Sequence, residues 1–259
     1  MEDLHWKTAI TKIEPNKISV RGYPVDELMG KISFPQAVYL ILKGELPPEN
    51  VGKLMEAILV SSIDHGATPP STLTAITIAS TGAPLNSALA GGILAISKWH
   101  GGAIEACMNI LHTVKQKAEK TSVSIEEAAE ELVKEYRQGK KKISGFGHRF
   151  HTQDPRSWKL FQLANELKIA GSFTRIARAL EAAIERNLGK KLPINVDGAI
   201  ATMLCELDFP SALANAFFIM ARVPGMVAHI YEEQTRYKPM RKIHPADHEY
   251  DGPAERHLT

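Results

Sequence analysis

From about residue 33 onward the apolar residues of this chain recur at intervals of three and four, the spacing that lines one face of an α-helix. No other feature narrows the choice of fold as much, because each such stripe must be buried against another element. In SIEEAAEELVKEY the stripe is Ile125, Ala128, Ala129, Leu132, Val133 and Tyr136, and Ser124 with Glu127 supplies a capping box at its start. In SFPQAVYLILKGELPP a helix is punctuated at both ends: Ser33 caps it, Pro35 suits its first turn, Gly44 lies near its end, and Pro47 and Pro48 follow. The same period predicts helices over 51–63, 71–81, 86–98, 101–118, 155–168, 174–187, 197–206, 210–222 and 224–236. Only AITKIEPNKISVRG departs from it. There Ile18 and Val20 are spaced by two and Pro15 and Asn16 interrupt the run, which predicts one small β-hairpin and no other sheet. The expected fold class is all-α.

At 259 residues the chain is near the size at which a single core divides, so one large domain or two interleaved ones are expected. Its net charge of +2 provides no basic stripe for nucleic acid, so an anionic ligand must be bound locally. Cys107 and Cys205 sit in apolar runs without CxxC spacing and are expected to be reduced, buried thiols, as in a reducing cytoplasm. The opening MEDLHWKTAITK has no apolar signal region, and no apolar stretch reaches the ~18 residues of a membrane span, so no membrane partner is expected.

Two connections carry both lysines and glycine-flanked turns, GKKKISGFGH and GKKLPINVDG, and connections of that kind are where binding residues collect. GFGH lacks the third glycine of a dinucleotide fingerprint and follows a helix and a lysine run, which argues against a Rossmann site. Walker A, GxSxG and HExxH motifs are absent from the sequence. His244 and His248 have i, i+4 spacing, but Pro245 beside them predicts an irregular tail, and no metal site is expected.

The stretches SSIDHGATPPST, SKWHGGAIEA, ISGFGHRFHTQDPR, LPINVDGAIATML and MARVPGMVAHIYEEQ follow one another in this order. Together they resemble the signatures of the citrate synthase family, and SVRGYPVDELMGKISFPQAVYLILKGELP is similar to that family's opening segment. The match covers nearly the whole chain. It departs in length: Asp64 follows Pro48 by only sixteen positions, where full-size synthases carry a long helical stretch. That abbreviation, the GHR and NVDG forms and a histidine–proline near the C-terminus resemble the citryl-CoA lyase branch and the citryl-CoA-cleaving module of ATP-citrate lyase. His100 departs the other way, being a feature of the synthases, and the spacing from His148 to Arg156 is one residue short of theirs.

The resemblance implies a helical two-domain fold, with 1–100 and 205–259 closing on 101–204 over a cleft. It implies cleavage of citryl-CoA to oxaloacetate and acetyl-CoA, or the reverse condensation of a citrate or 2-methylcitrate synthase. His148 is then the base at the substrate hydroxyl, His100 the neutral donor to the enolate oxygen, and Asp197 the acid and base at the acetyl methyl. The other reading of Asp197 is an N-cap for the helix it opens. His65, Arg156, Arg222 and Arg241 are implied to hold the carboxylates, Arg241 from a neighbouring subunit of a dimer or multiple of dimers; a guanidinium fork suits that task. Coenzyme A enters as part of a substrate, with no permanently bound cofactor. Lys141, Lys142 and Lys191 are expected at its phosphates and the backbone of Ile143, Gly145, Phe146 and Gly147 at its adenine.

Overall fold

The computed structural model describes residues 6–147 and 154–241. The hairpin joins Thr11–Glu14 (β1) to Lys17–Val20 (β2), with Ile13 opposite Ile18. Asn16 takes the left-handed conformation its tight turn requires. A third strand, Tyr23–Pro24 (β3), was not legible in the sequence; it pairs antiparallel to β2, giving the order β1-β2-β3.

The helices are Val25–Leu28 (α1), Phe34–Lys43 (α2), Glu49–Ser61 (α3), Pro70–Ser80 (α4), Leu85–Leu94 (α5), Ala103–Thr121 (α6), Ile125–Gln138 (α7), Pro155–Glu166 (α8), Ser172–Leu188 (α9), Val196–Glu206 (α10) and Ala214–Arg236 (α11), the last preceded by a 3-10 turn at Ser211–Leu213. Both expected capping devices form: Ser33 with Gln36 on α2, and Ser124 with Glu127 on α7.

Two helix predictions need correction. The helix expected over 86–98 stops at Leu94, because Ser97 and His100 exchange backbone hydrogen bonds of 2.8 and 2.9 Å in a tight turn. The helices expected over 210–222 and 224–236 are one helix that runs through Pro224. A proline there forfeits one backbone bond, yet Phe217, Phe218 and Ala221 before it and Gly225, Met226 and Ile230 after it are all buried, against α3, α4, α5 and α6. Packing on both sides holds the helix continuous. Within Ser211–Arg236 an 18-residue window reaches a mean hydropathy of 1.4, long and apolar enough by length and composition to cross a membrane where no such stretch was expected, but 44% of that window is buried inside the fold, and a core helix meets the same criteria.

One continuous apolar cluster runs from Val38 to Phe218 and so lies on both sides of the domain boundaries expected at 100 and 205. Its centre is α10, where every residue from Val196 to Cys205 is buried apart from Asp197, which is half-buried. Leu204 alone, fully buried, contributes about 2 kcal/mol. A smaller cluster of Ala75, Ala79, Ala88 and Ile230 joins α4, α5 and α11. Both cysteines are buried free thiols; burial pushes Cys107 upward in pKa and Cys205 up to about 12, so neither ionises near neutrality.

Candidate active site

The first turn of α10 meets the SGFG turn through two glycines. A Cβ at Gly198 would lie 2.2 Å from the Gly145 carbonyl oxygen, and one at Gly145 would lie 2.6 Å from Cys107 Sγ; Gly145 also has φ +88°. Only hydrogen side chains permit this approach. It is pinned by Gly147 N donating to Pro193 O at 2.8 Å, Asn195 N to Gly145 O at 3.0 Å and Asn195 Nδ2 to Gly147 O at 2.8 Å. The Asn195 side-chain oxygen accepts from Gly198 N and caps α10. Asp197 is therefore not the cap, and its carboxyl group is left to face the site. Burial, reinforced by the charge of Asp154, raises its pKa against the opposing pull of Arg156 and Arg222, which favours the protonated acid.

His100 sits at the end of the Ser97 turn, followed by Gly101 at φ +92°. Its ring meets Phe218 edge-on, with centroids 5.5 Å apart. Nε2 lies 2.8 Å from Ser71 Oγ and accepts the Ser71 amide at the start of α4 at 3.4 Å. A nitrogen that accepts an amide N–H carries no proton, so the neutral ring holds its proton on Nδ1. Burial, Arg222 and His65 all lower the pKa of His100 and keep it neutral. Burial first, then Arg156 and Arg222, lower that of the more exposed His65, against a smaller opposing pull from Asp64 and Asp154.

Arg156 is oriented by a residue the sequence reading passed over. Asp154, buried, caps α8 through Arg156 N at 3.0 Å, receives Arg156 Nε at 3.0 Å and Nη2 at 2.9 Å, and accepts Val196 N at 3.2 Å. One carboxylate thus ties the arginine to the helix that carries Asp197. The available signal was Asp before a proline at the first helical position. Burial opposes the charge on Asp154, but Arg156 outweighs it and holds the carboxyl below its usual range.

Arg222 is 3 % exposed. Its Nε donates to Ser62 O at 3.0 Å, its guanidinium lies 4.7 Å from the centre of the Phe218 ring, and among the described residues it forms no ion pair. Burial is the main cause that lowers its pKa, and Arg156 adds to it, while Asp64 and Asp197 pull the other way.

His65, His100, Arg156, Asp197 and Arg222 line one cavity of about 510 Å³. A second cavity of about 630 Å³ is lined by Lys141, Lys142, Ile143, Gly145, Phe146 and Gly147, with Ile184, Leu188 and Leu192 as apolar walls. The two share Trp99, Ala103, Gly147 and Asn195, so they form one continuous trough. Three expected residues are not part of it as described. Lys191 lines a separate cavity of about 170 Å³ behind Asp154, because the chain turns into Pro193 before rejoining the site. Arg241 donates to Glu233 at 2.8 Å and lies over Tyr237, lining neither cavity. His148 lies outside the described residues, as do His244 and His248. Among the described residues no group of three or more His, Cys, Asp or Glu is placed to hold a metal ion.

Residues 48–246 match the family model described as the citrate synthase C-terminal domain. A putative citrate synthase 2 of Mycobacterium tuberculosis is 32% identical over 204 residues, 77% of this chain and 52% of that protein, so the chain spans about half the length of the curated relatives it matches. The structure of citryl-CoA lyase from Hydrogenobacter thermophilus superposes with a TM-score of 0.90 at 44% identity, covering 98% of this chain and 97% of that one. ATP citrate lyase from Methanothrix soehngenii, solved with citrate and coenzyme A, has the same fold over 98% of this chain and 43% of its own, with a TM-score of 0.84 at 23% identity. The mostly helical fold with its small sheet, the order of the motifs and these likenesses agree that the chain belongs to the citrate synthase family.

Proposed function

We propose that the protein is a citryl-CoA lyase, cleaving citryl-CoA to oxaloacetate and acetyl-CoA. The observation that carries this reading is the trough itself. At one end a buried Arg222 without a carboxylate partner among the described residues stands with Arg156, which is what a dicarboxylate needs. At the other end a lysine-edged apolar cavity of about 630 Å³ suits a coenzyme A arm. The neutral His100 and the acid Asp197 line the first cavity, each close in sequence to a residue that both cavities share, Trp99 and Asn195.

Cleavage breaks the bond between the carbinol carbon and the thioester methylene. A base takes the hydroxyl proton, the oxygen's electrons form the oxaloacetate carbonyl, and the pair from the broken bond becomes the enolate of acetyl-CoA. His100, with its proton on Nδ1, donates to the enolate oxygen; a neutral donor stabilises that oxygen without surrendering its proton. Asp197, whose pKa burial raises, acts as the acid that delivers a proton to the methylene and completes the methyl group. His148 is assigned as the base on the motif resemblance. The reading also includes closure of 1–100 with 205–259 onto 101–204 to exclude water. It further includes a homodimer or multiple of dimers with Arg241 acting across the interface, no permanently bound cofactor and a cytoplasmic location.

Condensation by a citrate or 2-methylcitrate synthase is the second reading, favoured by the curated relatives' names and by His100. Citryl-CoA supplied alone, and oxaloacetate with acetyl-CoA supplied together, separate the two. Rapid acetyl-CoA release in the first with negligible citrate in the second supports the lyase; rapid citrate formation in the second overturns it.

A further inference from the structure

We propose that His229 is a positioning residue for His65. Helix α11 presents Arg222, Gly225 and His229 at i, i+3 and i+7, one stripe of its surface, and each grips a successive residue of the loop that follows α3. Arg222 Nε donates to Ser62 O at 3.0 Å. A Cβ at Gly225 would fall 2.4 Å from Ile63 O and 2.9 Å from Asp64 Oδ1, so the loop backbone rests directly on the helix there. His229 Nε2 donates to Asp64 Oδ1 at 3.2 Å.

Asp64 passes this anchorage to its neighbour. Its second oxygen accepts Gly66 N at 2.9 Å, and Gly66 has φ +79°, so one carboxylate braces the chain on both sides of His65. Burial works against the charge, but the Gly66 and His65 amides and His229 hold Asp64 below the usual carboxylate range, ionised and ready to accept. The far nitrogen of His229 faces Glu232 at 3.9 Å. His229 lines neither cavity, whereas His65 does. Without the imidazole, Asp64 loses its tether to α11 and His65 its fixed turn.

This inference rests on the reading that His65 lies at the dicarboxylate end, and the test separates the two. Wild type, His229→Ala and His229→Gln, the last keeping an N–H donor of similar reach, are titrated calorimetrically with oxaloacetate and with coenzyme A. The His65 ring resonance is followed against pH in the ligand-free proteins. His229→Ala is expected to weaken oxaloacetate about tenfold while coenzyme A changes by less than about twofold, and His229→Gln to return within about threefold of wild type. An equal loss for both ligands, or unchanged oxaloacetate affinity, overturns the proposal. Should wild type bind coenzyme A and not oxaloacetate, the functional reading fails and the resonance decides. A His65 titration displaced in His229→Ala and restored in His229→Gln supports positioning; one that does not move overturns it.

Discussion

Replacing Arg222 by methionine is expected to stabilise the ligand-free protein while disabling it. Arg222 as a whole residue is 3 % exposed, and its guanidinium has no ion-pair partner among the described residues. Burying a charge without a direct ion-pair partner costs several kcal/mol, which the attraction of Asp64 and Asp197 offsets only in part. Against that stand one charge-assisted hydrogen bond to Ser62 O, about 1.5–3 kcal/mol, and the contact over Phe218, about 0.5–2 kcal/mol. Methionine fills similar length without the desolvation penalty but leaves Ser62 O short of a donor. The balance is a gain of about 1–2 kcal/mol, which raises the melting temperature of a chain this size by roughly 2–8 °C. A dicarboxylate, by contrast, loses a desolvated charged partner, about 3–5 kcal/mol or roughly two to almost four orders of magnitude in affinity. Thermal unfolding with and without oxaloacetate reads both effects. At a hundred times Kd the ligand adds about 2.7 kcal/mol to wild type and should add almost nothing to the variant. A variant that melts below wild type without ligand, or that keeps its response to oxaloacetate, refutes the reasoning.

Gly198→Ala places a methyl 2.2 Å from Gly145 O; the SGFG turn must retreat by about 1 Å, at a cost of about 1–3 kcal/mol, and denaturant unfolding with coenzyme A titration should show lost stability and weakened binding together. His100, lowered from the usual 6.5, is neutral in both states above that pH; as pH falls through it only the unfolded chain gains the proton, so stability should drop by at most about 1 kcal/mol per pH unit for a part-buried ring, and His100→Asn should flatten that slope. Asp197, raised from 3.8 by burial, has the opposite sign: stability is lost as pH rises from the unfolded value through the folded one, so Asp197→Asn should melt higher than wild type at neutral pH while cleaving no citryl-CoA. Lys142→Ala should weaken coenzyme A binding in a salt-dependent way and Lys191→Ala should not, since only the former lines the larger cavity; equal losses would place the phosphates elsewhere.

The elements that were legible are those whose causes lie within a few residues. Ser33 and Ser124 cap their helices by bonds to the third residue on, and the α7 stripe buries Ala128, Ala129, Leu132 and Val133 as its spacing requires. The residue types of the site were legible too, because His65, His100, Arg156, Asp197 and Arg222 stand in short ordered motifs. Less visible were Asp154, which reads locally as an ordinary N-cap, and Asn195, which takes the cap that Asp197 was equally suited to take.

Periodicity and punctuation in the chain alone determined a helical protein opening on a hairpin, since backbone propensity and capping act over one or two turns. Tertiary structure decided what distant segments do to one another. Helix α11 continues through Pro224 because residues on both sides of it are buried, Phe217 and Phe218 in the larger apolar cluster and Ile230 in the smaller one. Arg222 reaches a carbonyl 160 positions away, and Lys191 falls on the far side of Asp154 from the cavity it had been assigned to. Which side chains share a cavity depends on packing between elements, and no local spacing records that.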